Sequence, residues 1–441
     1  MRIVQITPGS GGTFYCQNCL RDVALVRAVR AAGHDVLMVP LYLPIAGDTG
    51  QPDRTPVFFG GINVYLQQKL RLFRRTPRWV DRVFDSPRLL RWASRQAGAT
   101  SPQDLAETTI SMLRGEQGRQ AKELERLAEW LDSAGRCDIV CLSNALLAGL
   151  ARRIKAATAC PLACMLQDED AFLDGLPDAC RGPAWQAVAA GAMDVDGFLA
   201  VSEYYRQAMI ERLHLPADRV HVVHGGLDAA GYEPPGRQPD QPAIGFLERI
   251  CFDKGFDILL EAFVILRSRG FGWLKLRVSG GSTPEDKPFL AACRRRMDQA
   301  GLAGEVEFVQ HSDRDGRIAF LRSLSVLSVP ARHKEAFGLY VLEALAAGVP
   351  VVMPDHGAMP ELLGHTGGGA TFRPNDPQSL ADALGKLLAD PQHAGWLGQA
   401  GRQVVLEEFS IERAAARFMD ACQAVMSQGR NTPSPVAGER H

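Results

Sequence analysis

Residues 2–7 (RIVQIT) form a short apolar run that predicts a buried β-strand. After it come a glycine-rich turn from Gly9 to Thr13, a helical pattern over 17–32 that ends at Gly33, and a second strand run at 35–41 (DVLMVPL). Further apolar runs at 138–143, 161–166, 197–202 and 219–224 predict strands, with helical patterns between them. One helical pattern covers 105–131, with Leu124, Leu127 and Leu131 at three- and four-residue spacing. Runs that are apolar throughout suit strands covered on both faces, as in parallel sheets. The alternation stops between Ala229 and Pro242, where four prolines interrupt any period, and this stretch reads as an interdomain linker. It restarts with strand runs at 243–248, 274–281, 306–310, 325–331 and 349–355. Ser410 suits the N-cap of a last helix, with Ile411, Ala415, Phe418, Cys422 and Val425 on one face.

Alternation of this kind predicts an α/β protein of two Rossmann-like domains with open parallel sheets facing across a cleft, ligands binding at the strand C-termini. The expected boundaries are 1–228 for the first domain, 229–242 for the linker and 243–408 for the second domain. A helix over 409–426 and a disordered tail over 427–441 complete the chain. A basic helical insertion is expected near 60–135.

Composition narrows the class. The chain has 441 residues, 46% of them hydrophobic and 22% charged, with a formal net charge of −1. That balance argues against a protein built around nucleic acid. No apolar run approaches the roughly 20 residues that span a bilayer, and the N-terminus has no signal-peptide core, so a cytoplasmic protein is expected. The ten cysteines read as reduced, buried thiols. Cys16 and Cys19, with Cys160 and Cys164, are the alternative redox or metal reading. Segment 69–95 carries nine Lys/Arg and two Asp, net +7, interleaved with Phe73, Trp79, Phe84 and Trp92. It reads as a helical insertion with a solvated basic face, or as a surface for an anionic acceptor or membrane.

Candidate chemistry gathers in the second half. In the stretch 333–363, Glu335 precedes a helix that begins near Gly338, and Glu343 lies about two turns into the segment. A helix N-terminus there offers backbone N–H groups at Phe337, Gly338 and Leu339 to an anion. A carboxylate such as Glu343 suits the vicinal hydroxyls of a ribose, and Glu335 can reach sugar hydroxyls. The bland alternative is two solvated glutamates favoured by the helix dipole. Arg249 and Lys254 follow a strand and precede a helix, and a guanidinium fork plus an ammonium can neutralise a diphosphate. The turn Gly9-Ser10-Gly11-Gly12 can cradle a phosphate with backbone N–H groups. It is not a dinucleotide fingerprint, and no acidic residue ends the second strand, so a nicotinamide cofactor is not expected.

Glu335 and Glu343, with Glu361 downstream, resemble the Glu-x7-Glu signature of glycosyltransferase family 4, retaining enzymes of GT-B fold. The resemblance extends to the Gly11-Gly12 loop, to Gly33-His34-Asp35-Val36, to Arg249 and Lys254 before Gly255, and to Asn375-Asp376-Pro377. Phe409-Ser410 is similar to the start of the family's closing helix, which crosses back to the N-terminal domain. The resemblance implies a metal-independent enzyme without a cofactor, using a UDP-, GDP- or ADP-sugar as donor. It places Glu343 on the ribose, Glu335 on the sugar, and Arg249 and Lys254 on the diphosphate, with Gly11, Gly12 and the main chain at 337–339 assisting. The acceptor is a glycan, a lipid-linked sugar or a small molecule, and peripheral association with an inner membrane surface through 69–95 is expected. The sequence departs from the family where a His is usual: Gln167 stands there, followed by Asp168-Glu169-Asp170. Gln167 and Asp168 are therefore further candidates beside the reacting sugar. Glu248 stands where the family has Gly, and Gly225-Gly226 where it has Asn-Gly. A nucleotide-sugar epimerase and a non-catalytic nucleotide-sugar-binding protein are the rival readings.

Overall fold

The computed structural model describes residues 1–8, 17–42, 58–59, 102–234, 241–302, 304–310 and 313–429. Gly11 and Gly12, Cys16, the basic segment 69–95, the middle of the expected linker (235–240) and the tail from 430 lie outside the described residues.

The chain divides into two compact units. The first comprises residues 1–201, 205–224 and 414–441. Its sheet holds β1 (Arg2–Thr7), β2 (Asp35–Pro40), β3 (Ile139–Leu142), β4 (Leu162–Leu166), β5 (Gly197–Ala200) and β6 (Val220–Val222) in the order β2-β1-β3-β4-β5-β6. Every pairing is parallel. Strands β3, β4 and β5 are buried along their whole length, as their unbroken apolar runs require. The strand order reverses between β1 and β3.

The second unit comprises residues 202–204 and 225–413. Its strands are β7 (Ala243–Leu247), β8 (Lys275–Ser279), β9 (Val306–Phe308), β10 (Val326–Leu327), β11 (Val351–Pro354) and β12 (Gly369–Phe372). Their order is β12-β11-β10-β7-β8-β9, again all parallel, with the reversal between β7 and β10. This is the two-domain α/β architecture of the GT-B fold.

The structure corrects four readings. The helical pattern at 105–131 is two helices, Pro102–Leu113 and Ala121–Ser133. Between them Gly115 takes φ +53, and a Cβ on it would lie 1.9 Å from the carbonyl oxygen of Gly149, so the chain turns there because only glycine fits. Ser111 stabilises the turn: its hydroxyl accepts from Arg119 N and donates to Gln120 Oε1, each at 2.8 Å. Strand β12 was hidden in the sequence because Gly369 and Ala370 offer no apolar run. Residues 225–234 already belong to the second unit, with Tyr232 1% exposed, so the chain enters that unit before the proline-rich stretch. The last helix spans Ile411–Gly429 and takes in residues 427–429, which the pattern assigns to the tail.

That helix completes the first unit's core. Ala415, Phe418, Met419, Cys422 and Val425 pack with Ile3, Val26, Val36, Met165 and Leu199. Ser410 sits at its start, its Oγ accepting from Arg413 N at 3.3 Å. Cys137, Cys141, Cys160, Cys164, Cys180, Cys251, Cys293 and Cys422 are free thiols. Those of Cys160 and Cys164 have different surroundings: Cys160 Sγ lies 2.8 Å from Cys137 Sγ, whereas Cys164 sits inside β4 against Met165 O at 3.4 Å.

Candidate functional site

In the second unit β7 and β10 are neighbouring parallel strands, which sets the loops that follow them side by side. The first carries Glu248, Arg249 and Lys254, and the second carries Glu335. Gly255 makes the approach possible, since a Cβ there would lie 1.9 Å from Pro330 O, and its φ of +70 is left-handed. Arg332 N donates to Asp253 O at 2.8 Å, and the Arg332 guanidinium grips Asp257 at 2.9 and 2.7 Å. The ends of the two strands are thus tied at several points, and side chains on both can meet.

Glu335 is 6% exposed. One of its oxygens accepts from Lys254 Nζ and the other from the Tyr340 hydroxyl. Its backbone is held by the loop after β11, where Ala358 N donates to Glu335 O at 3.0 Å. Glu343 is 5% exposed, on the helix Leu339–Ala346 that starts after Gly338 at φ +93. The Tyr232 hydroxyl donates to Glu343 Oε1 at 2.9 Å, and Arg317 donates to Oε2 at 2.5 Å. The solvated-glutamate alternative therefore fails: both carboxylates are buried and each is held by two donors. Phe337 is buried, 6.4 Å centroid to centroid from Phe409.

Arg249 is held by Asp286, whose two oxygens accept from Nε at 3.0 Å and Nη2 at 2.9 Å. Asp286 also closes a capping box with Thr283. Burial opposes ionisation of Asp286, but hydrogen bonds from Arg249 and Thr283 outweigh it and hold the carboxyl below its ordinary range. Glu248 lies beside the same group, its Oε1 3.8 Å from Lys254 Nζ. Burial pushes its carboxyl up; Lys254 works against the shift and Glu335 adds to it.

In the first unit, Gln167 and Asp168 sit in the loop that leaves β4. Gln167 is 2% exposed and its Nε2 donates to Ser143 O, just past β3. Asp168 takes the left-handed conformation, φ +62, before the short helix Glu169–Asp174. The residue that organises this loop is the next one. Glu169 is 2% exposed, accepts from Ala145 N at 2.8 Å and Gln167 N at 2.7 Å, and has its Oε2 2.8 Å from the Tyr205 hydroxyl. Burial dominates and pushes its carboxyl up to about 7, against the lowering pull of those hydrogen bonds.

The structure thus brings Lys254, Glu335 and Glu248 into one cluster, sets Arg249 with Asp286 beside it, and holds Glu343 between Tyr232 and Arg317. Sequence reasoning did not single out Asp286, Tyr232, Arg317 or Tyr205 as site residues, and it offered Glu169 only as one of an acidic trio, for an unusual donor or acceptor or as a helix-start charge run. Only Asp286 left a local signal, the Thr283-x-x-Asp286 spacing of a capping box; the others act across long sequence separations.

Residues 233–404 match the family model for glycosyl transferases group 1, and residues 109–230 match that for glycosyltransferase family 4. The chain belongs to glycosyltransferase family 4. Among curated relatives of this chain, the D-inositol 3-phosphate glycosyltransferase of Jonesia denitrificans is 32% identical over 218 residues, which are 46% of this chain and 50% of that one. The GDP-mannose-dependent alpha-(1-6)-phosphatidylinositol monomannoside mannosyltransferase of Mycobacterium tuberculosis is 28% identical over 236 residues, 50% of this chain and 60% of that one. The chain spans about half the length of the curated relatives it matches. Two solved structures share the fold across nearly the whole chain. Anabaena HepE in complex with UDP gives a TM-score of 0.69 at 15% identity, over 96% of this chain and 100% of that one. Sucrose-phosphate synthase from Thermosynechococcus elongatus gives 0.69 at 18% identity, over 97% and 99%.

Proposed function

We propose that the protein transfers a sugar from a nucleotide-diphosphate sugar to a hydroxyl acceptor, with retention at the anomeric carbon. The observation that carries this reading is the ion pair of half-buried Lys254 with buried Glu335 where the second unit's strand order reverses, beside Arg249. Arg249 and Lys254 serve the diphosphate, where fixed cations oppose the charge that builds on the leaving group as the glycosidic bond breaks. One preorganised donor of this kind is worth about 3–4 kcal/mol in the transition state. Glu335 takes the sugar hydroxyls, with Lys254 and Tyr340 fixing its orientation. Glu343 takes the ribose hydroxyls; Tyr232 and Arg317 each use one lone pair of an oxygen, and a carboxylate oxygen carries two. The main chain at 337–339 and the Gly11-Gly12 loop assist at the phosphates, and Gln167 and Asp168 serve the reacting sugar. In a retaining transfer the acceptor attacks from the face the diphosphate leaves, and the departing phosphate oxygen accepts the acceptor's proton.

UDP-, GDP- and ADP-sugars share the ribose and diphosphate that these residues would grip. Both curated relatives described above are named for acceptors built on an inositol phosphate, which supports a polyol phosphate as the first acceptor to try here. The test is a thermal-shift screen of UDP-, GDP-, ADP- and dTDP-sugars, followed by turnover of the stabilising donor. Glu335→Gln should cut turnover by about two orders of magnitude while nucleoside-diphosphate affinity changes less than about threefold. Equal loss of both would overturn the assignment of Glu335 to the sugar.

A further inference from the structure

The Tyr205 hydroxyl lies 2.8 Å from Glu169 Oε2 and 2.9 Å from Asp170 Oδ1. Asp170 N points at the same phenol oxygen, at 3.4 Å. A phenol has one hydrogen and can donate to one carboxylate only. Were both carboxyls ionised, one of the two short contacts would set a phenol lone pair against a carboxylate, at a site where Tyr205 is fully buried and Glu169 is 2% exposed. Repulsion of that kind is least affordable where water cannot screen it. Both contacts become favourable once a second hydrogen is present, and Glu169 is the carboxyl that should carry it, because it is the more deeply buried of the two.

We propose that Glu169, Tyr205 and Asp170 form a proton-sharing chain, with Glu169 as its acid end and Asp170 as its carboxylate end, and that this chain positions the loop bearing Gln167 and Asp168 for sugar transfer. The Glu169 hydrogen goes to the Tyr205 oxygen, and the Tyr205 hydrogen goes to Asp170. The other Glu169 oxygen accepts from Ala145 N, so one side chain joins the loops after β3 and β4 to the helix Glu203–Leu213. Gln167 N, at 2.7 Å from Glu169, and Gln167 Nε2, on Ser143 O, anchor the loop from within. Asp168, left-handed between Gln167 and Glu169, is held in that conformation by anchors on both sides. The upward push on Glu169 to about 7 agrees with an acid end at neutral pH. The charged or titratable groups that face this chain within its unit are Asp168 and Asp170 on its own segment, Tyr205 on the helix Glu203–Leu213 and Cys164 in β4. The negative charge of the two carboxyls among them, Asp168 and Asp170, favours keeping a proton on Glu169. These are positioning residues, acting on the reaction through Gln167 and Asp168.

This inference rests on the sugar-transfer reading for its effect on rate, so the experiment has an arm that needs no substrate. Infrared difference spectra of the wild-type protein between about pH 6 and pH 9 should show a protonated-carboxyl carbonyl band that titrates near neutrality, around the mid-range where a raised carboxyl ionises. The band should be missing in Glu169→Gln. In the second arm, UDP-glucose and GDP-mannose are the probes, and nucleoside diphosphate release is the readout. Wild-type kcat should fall as pH rises through the titration of Glu169. Glu169→Gln, whose amide can still donate to Tyr205 but cannot accept from Gln167 N at the same atom, should lose that dependence whatever its absolute turnover. Tyr205→Phe should lower kcat about tenfold to a hundredfold, as a displaced reacting group does, with KM for the donor little changed. A wild-type spectrum without the band, or coincident pH profiles for wild type and Glu169→Gln, would overturn the chain. If wild type turns over neither probe while the band titrates as described, the sugar-transfer reading of these donors fails and the proton chain stands.

Discussion

A glutamate near the start of a helix is commonplace on a protein surface, where water screens it and the helix dipole adds a few tenths of a kcal/mol. Glu335 and Glu343 are different because each has lost its water and gained two donors. Removing Arg317 from its buried pair with Glu343 leaves an uncompensated charge, at a cost of about 3–5 kcal/mol. Arg317 is therefore as integral to this carboxylate as the carboxylate is to a ligand. Glu169 offers the test at this scale. Its carboxyl is raised by burial to about 7 in the folded protein, against about 4.5 when unfolded. The folded state thus prefers the protonated form. Its contribution to stability is complete below about pH 4.5 and is lost as pH rises through about 7. Melting at a series of pH values should show wild type losing on the order of 3 kcal/mol relative to Glu169→Gln between those limits. Parallel curves for the two proteins would show that the carboxyl titrates as an ordinary surface glutamate.

Helices and strands here depend on contacts far along the chain. The helix Ile411–Gly429 buries Phe418, Cys422 and Val425 against strands at the opposite end of the sequence. Gly197 in β5 leaves room for it, since a Cβ there would come within 2.4 Å of Val425 Cγ2. Leu227 N donates to Phe409 O at 2.8 Å and Ile411 N to Leu227 O at 3.0 Å, so the chain leaving β6 is paired with the segment that starts this helix. Phe418→Ala should cost about 3–5 kcal/mol, read as a lower urea midpoint and faster amide exchange in β1 and β5. Exchange confined to residues 411–429 would instead make the helix an appendage rather than part of the first unit's core.

At the scale of the whole chain, charge is distributed unevenly. The net charge is −1, yet segment 69–95 carries +7. No helix among the described residues is long and apolar enough to cross a membrane. Each cation close to an anionic lipid surface contributes about 1 kcal/mol, so several together are enough to hold a protein there at low salt. We therefore expect co-sedimentation with phosphatidylserine-containing liposomes at low ionic strength and release at high salt. A variant with Arg71, Arg74, Arg75 and Arg78 changed to Gln should stay in the supernatant. If wild type also stays in solution at low salt, the segment's charge serves the acceptor or the fold instead. The fixed cations Arg249 and Lys254 lead to a second expectation: turnover should survive EDTA. Loss on chelation that added magnesium or manganese restores would show that a metal shares their role.

The order of elements was legible in the sequence, because a buried parallel strand must be apolar along its length and an amphipathic helix must repeat every three to four residues. So were the Glu335–Glu343 spacing and the positions of Arg249 and Lys254 between strand and helix, since local chain geometry alone sets them there. The break at Gly115 was not legible, because what forbids a side chain is the carbonyl of Gly149, 34 positions away. Strand β12 was hidden for a related reason: Gly369 and Ala370 are small where a Cβ on Gly369 would strike Val351 O at 2.0 Å, a constraint of packing. The partners of the site residues also lay beyond the sequence. Tyr232 and Glu343 are 111 positions apart, and Tyr205 and Glu169 are 36 apart. In the acidic run 168–170 nothing local marks Glu169 as the buried member. Its burial, and the proton it keeps in consequence, come from the packing of β3, β4 and the helix Glu203–Leu213 around one carboxyl, because desolvation depends on everything that surrounds a group and not only on its neighbours in the chain.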